Sequence, residues 1–131
     1  MIQKYIECDL VMTKTEPNNF TPSGIVCKFE KSLERDMVLI MAINGIDRFV
    51  VEKEQIAPIP LTSEILEKNG WSKGQIYFRH SRIPRIKLCT ADGGISWSVS
   101  INDDIMGSYI NYVHQLQHIL FAFGIEEEME V

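Results

Sequence analysis

Apolar and polar positions along the chain follow two different periods, and the change between them divides it. Residues 36–52, "DMVLIMAINGIDRFVVE", hold two β-rich runs joined by Asn44-Gly45, a pair that accepts the positive φ angles of a two-residue type I′ turn. That turn sets Ile43 opposite Ile46, Met41 opposite Arg48 and Leu39 opposite Val50, with Ile40–Phe49 and Val38–Val51 on the other face. The first run is apolar on both faces, so it predicts a central strand or one covered on both sides. Upstream, "YIECDLVMT" (5–13) and "GIVCKFE" (24–30) predict two more strands, separated by a loop marked by Pro17, Asn18, Asn19, Pro22 and Gly24.

Next, "IAPIPLTSEILEKNGW" (56–71) begins with an extended, proline-stiffened connector. Thr62 then caps a short helix that stops at Asn69-Gly70, and Leu61 with Leu66 forms a hydrophobic staple. "QIYFRH", "RIPRIKLCT" and "ISWSVSIN" read as strands, the last two turning at Asp92-Gly93-Gly94. In the final strand Ile95, Trp97, Val99 and Ile101 alternate with Ser96, Ser98, Ser100 and Asn102, which predicts one buried and one wet face and puts Trp97 in the core. The period then becomes helical: Tyr109, Val113, Leu116, Leu120 and Phe123 form one stripe, extended by Tyr112 and Ile119.

These elements predict an α+β protein. Its β-rich N-terminal subdomain, 1–57, is a small β-barrel-like or bent antiparallel sheet. Residues 58–131 form an α+β subdomain with a short helix, an antiparallel three-stranded sheet and a C-terminal helix.

With 131 residues, 45% of them hydrophobic, the chain can bury a core without staples. Its net charge of −5 argues against a protein that coats nucleic acid or anionic membrane with its whole surface. Cys8, Cys27 and Cys89 are odd in number and contain no C-x-x-C, so they read as reduced, mostly buried thiols. The start "MIQKYIECDL" lacks a basic region followed by a long apolar run, and no stretch reaches the length of a membrane span. A cytoplasmic protein without a membrane partner is the expectation.

On the helix, His114 and His118 are four residues apart and could face one ion. "HQLQH" nevertheless has Gln115 where a zinc protease needs its general-base glutamate. Further ligands would have to come from His80, Cys89, Asp103, Asp104 or the glutamate-rich tail, none at a diagnostic spacing. The stronger reading places His114, Gln117, His118 and Phe121 on the face opposite the apolar stripe, as an interaction surface for a protein partner or a second copy. Asp103-Asp104 read better as caps of the following helix than as a catalytic pair. No nucleophile elbow, phosphate-cradling loop or dinucleotide fingerprint is present, so no catalytic residue, cofactor or metal is assigned. A second candidate is the basic segment: Lys73, Arg79, Arg82, Arg85 and Lys87 occur between Glu67 and Asp92 with no acid among them. In a nucleic-acid-binding module, Arg79, Arg82, Arg85 and Lys87 would meet phosphates while Tyr77 and Phe78 stacked on bases.

"PIPLTSEILEKNGW" (58–71) and "YVHQLQHILFAFG" (112–124) together resemble a family of short uncharacterised proteins from gut anaerobes and their prophages and mobile elements. Pro60, Leu61, Thr62, Ile65, Leu66 and Gly70 fall on the first motif of that family, and Tyr112, Val113, His114, Gln115, Leu116 and Gln117 on the second. The chain departs at His118, where the family usually has asparagine, and it lacks the family's glycine-asparagine step after the first strand. The resemblance implies the order of elements and a mobile-element origin, and no activity or cofactor. The overall expectation is a non-enzymatic accessory protein that acts by binding, with nucleic-acid binding as the alternative and a histidine-based metal hydrolase third.

Overall fold

A computed structural model describes residues 5–14, 25–125 and 128–131 of the chain, and the side chains of all of these except Gly107 and Ser108. The predicted loop over 14–24 therefore lies, beyond Lys14, outside the described residues. Two compact units divide the chain, Met1–Ile59 and Pro60–Val131. The division falls two residues after the expected 57/58 boundary because Ile56–Pro58 is itself a strand of the first unit.

The first unit is a five-stranded antiparallel sheet built from β1 (Leu10–Thr13), β2 (Val26–Ser32), β3 (Met37–Ala42), β4 (Arg48–Glu52) and β5 (Ile56–Pro58), in the order β4-β3-β2-β1-β5. It stays open, with β4 and β5 as its edges, so the barrel alternative is set aside. Val11, Cys27, Phe29, Val38, Ile40, Val51 and Ile56 form its buried cluster, against which Tyr5 and Phe49 pack.

The hairpin register agrees with the pattern, pairing Met41 with Arg48, Ile40 with Phe49, Leu39 with Val50 and Val38 with Val51. The turn differs. Only Gly45 has a positive φ there, 75°, and Ala42 N donates to Asp47 O at 2.8 Å, so four residues make the loop. Asn44 stays out of the left-handed region and uses its Oδ1 to accept from the backbone N–H of Ile46 (2.9 Å) and of Asp47 (3.2 Å). A true type I′ geometry appears instead between β2 and β3, where Arg35 and Asp36 have φ of 59° and 56° and Met37 N donates to Glu34 O at 3.3 Å.

The second unit begins with α1 (Ser63–Lys68), capped by Thr62 Oγ1 accepting from Ile65 N at 3.2 Å. Leu61 and Leu66, the expected staple, are both fully buried. Gly70 follows at φ 87°, and a Cβ there would stand 2.9 Å from His80 Nε2, so geometry and space both require glycine.

Five strands then form a meander, β6 (Trp71–Lys73), β7 (Phe78–His80), β8 (Ile83–Cys89), β9 (Trp97–Ile101) and β10 (Asp104–Ile110), in the order β10-β9-β8-β7-β6. The expected three-stranded sheet is thus extended by one strand at each edge. Trp97 is completely buried; its Nε1 donates to Leu61 O at 2.9 Å and Phe78 meets it edge-on, with centroids 5.3 Å apart. α2 (Val113–Ala122) closes the unit and buries Val113, Leu116 and Leu120. Tyr109, expected on the helical stripe, belongs to β10 and is 67% exposed.

Candidate functional site

α2 starts at Tyr112 because Gln115 reaches back over its first turn. The Gln115 Oε1 accepts from the backbone N–H of Asn111 at 2.7 Å and of the N-cap Tyr112 at 3.0 Å, satisfying one open donor of the helix and one just before it. An amide is sufficient for that task, which gives Gln115 a structural reason in the place where a zinc protease would need a base.

The histidine face is not the uniform surface expected from its periodicity. His114 is only 2% exposed, stacked on Tyr112 at 5.9 Å between centroids and edge-on to His118 at 5.5 Å. Burial first, and then the neighbouring His118, push its imidazole down to about 4, so it is neutral at physiological pH. It is a packed aromatic and drops out of any surface contact. Gln117 and His118 are half-buried, while Phe121 is 74% exposed. No group of three or more His, Cys, Asp or Glu side chains is placed to hold a metal ion among the described residues. His80, considered as a further ligand, is buried beside Trp71 and accepts from Arg82 N at 3.0 Å through its Nδ1.

Asp103 and Asp104 do not cap α2, contrary to expectation. Asn102 and Asp103, with φ of 51° and 68°, form the tight turn between β9 and β10, and Asp104 opens β10. Asp103 Oδ1 accepts from Lys87 Nζ at 2.6 Å, which holds its carboxyl below the usual range.

The basic segment is sorted by the pleat. Phe78 points into the core, 5% exposed, and leaves the candidate contact set. One cross-strand row on the opposite face runs Ser72, Arg79, Lys87, Ser100 and Ile105 across all five strands. The next row contains Cys89, Ser98 and Tyr109, and alternation puts Tyr77, one residue before β7, on the same side. Lys87 Nζ lies 5.7 Å from the Tyr77 ring centroid. Arg85 takes another direction, with its guanidinium 5.2 Å from the Phe123 ring centroid and its Nε donating to Asn102 Oδ1 at 3.3 Å. Arg82 is exposed in the β7–β8 turn. Arg79 sits directly opposite Lys87, a like-charge pair that Asp103 offsets.

β10 itself contributes residues that periodicity missed. It is an edge strand whose Ile105 is 73%, Met106 39% and Tyr109 67% exposed. The signal that could have found it is Asn102-Asp103, two residue types tolerant of left-handed geometry, directly after the alternating strand. No helix among the described residues is long and apolar enough to cross a membrane. No protein-family model, curated protein or solved structure matches the chain.

Proposed function

We propose that the protein is a non-enzymatic binding protein whose β10 edge associates with a second copy of the chain. The supporting observation is that Ile105, Met106 and Tyr109 expose large apolar surface along one edge strand, an arrangement that monomers generally avoid. A two-fold axis near Gly107 would set Ile105 of each copy against Tyr109 of the other. Asp104, the only charge of β10, would then be kept away from its twin at the far end. The resemblance to short mobile-element proteins fits an accessory role of this kind.

Light scattering across micromolar concentrations tests this reading. The wild-type mass should rise toward twice the monomer, while Ile105→Lys combined with Tyr109→Lys, both at exposed positions, stays monomeric. A wild-type protein that is monomeric throughout removes the reading.

The shared face of Tyr77, Arg79, Lys87 and Tyr109 supports a second reading, single-stranded nucleic acid lying on the open sheet surface. Asp103 already meets Lys87, so the exposed Arg79 would carry the phosphate contact in this reading. Fluorescence titration with an oligonucleotide at low salt should then show binding that falls steeply as salt is added. Silence at roughly 100 μM protein, where non-specific binders respond, excludes it.

A further inference from the structure

The C-terminal end of α1 grips another part of the chain by its main chain. Asn69 Nδ2 donates to Ile65 O at 2.7 Å, which fixes the plane of the amide. In that orientation Nδ2 also donates to Glu130 O at 2.7 Å, and Oδ1 accepts from Glu130 N at 2.7 Å. One side-chain amide thus satisfies both backbone groups of a single residue, as a neighbouring strand would. Lys68 Nζ donates to Val131 O at 2.9 Å. Burial alternates along the gripped segment: Glu128 and Glu130 face solvent while Met129 is 8% exposed.

Backbone contacts for affinity and one apolar anchor for specificity are how proteins read extended peptides. We propose that Lys68, Asn69 and the buried position of Met129 form a peptide-docking site, filled in cis by residues 128–131, that accepts an extended segment of the same chemistry in trans. Its partner is an extended peptide with an apolar anchor followed by a residue whose N–H and C=O are both free for the Asn69 amide. The site is independent of the β10 reading.

The test uses the full chain with Met129→Ser and Glu130→Pro, which removes the anchor and the amide hydrogen that Asn69 Oδ1 holds. A peptide of residues 126–131 is titrated into the ¹⁵N-labelled variant while the Asn69 side-chain amide signals are followed by NMR. They should move toward their wild-type positions with a Kd of roughly a millimolar or tighter, since few anchors contribute. The wild-type chain should respond more weakly, because its own segment competes at high effective concentration. A peptide carrying serine in place of the Met129 residue should have little effect. Unmoved Asn69 signals at several-fold higher peptide, or an equal response of the backbone signals of α1 when Asn69→Ala is added to the variant, would overturn the proposal. Should the double variant fail to fold, Glu130→Pro alone serves as the host with the same criteria.

Discussion

His114 and Phe121 project from α2 within about 20° of each other around its axis, taking 100° per residue, yet one is 2% and the other 74% exposed. A helical wheel averages along the axis, so it could not show that the first turn is enclosed while the last is open. Its physical consequence is a pH dependence. The folded state holds the His114 imidazole at about 4, whereas an unfolded histidine titrates near 6.5. Above the unfolded value both states are neutral and the group contributes nothing. As pH falls from about 6.5 toward 4, the unfolded chain takes up a proton that the folded one refuses, and stability declines. The loss should be on the order of 2 kcal/mol by pH 4.5. Urea unfolding at pH 7 and pH 4.5 checks this, because His114→Gln should narrow the gap between the two midpoints. A gap unchanged by that substitution would mean that carboxylates alone set the acid response.

Among the elements, the long hairpin β3–β4 was legible because two β-rich runs flank a short Asn-Gly loop, which leaves one register that buries Val38, Ile40 and Val51 together. The outer strands of the second sheet were not. β6 is three residues, too short to display a period, and β10 carries a register shift that breaks its alternation. Turn chemistry shows the same limit from the other side. Asn44-Gly45 carries the sequence of a type I′ turn but folds as a four-residue loop, while Arg35-Asp36 adopts that turn without its sequence. Left-handed geometry strains a residue such as arginine, so Arg35→Asn with Asp36→Gly should stabilise the protein by about 0.5–1.5 kcal/mol, read as a higher urea midpoint. At the matching turn in the second unit, Asp103→Gly should gain less, because Asp103 also holds Lys87. Equal gains at both turns would show that the Lys87 contact contributes nothing measurable.

Across the whole molecule the cysteines offer one reporter for each environment. Cys8 is exposed in the first unit, Cys27 lies in the core of that unit, and Cys89 is half-buried on the open face of the second. Their number and spacing indicated reduced, mostly buried thiols, but Cys8 lies in an exposed turn before β1, and burial of the other two depends on which face of its strand each occupies. Thiolate is the reactive form, and burial raises the Cys27 thiol above its ordinary range, so lack of access and protonation act in the same direction there. Pulse labelling with a maleimide, read site by site by mass spectrometry, should therefore modify Cys8 first, Cys89 next and Cys27 last. In rising urea, Cys27 should become reactive only as the first unit opens, and Cys89 should gain its full rate as the second does. The two sites then measure each unit separately, because neither thiol belongs to the other's sheet. Labelling of Cys27 as fast as Cys8 in the native protein would contradict its place with Val11 and Ile40 in the buried cluster, and with it the assignment of that face as the core.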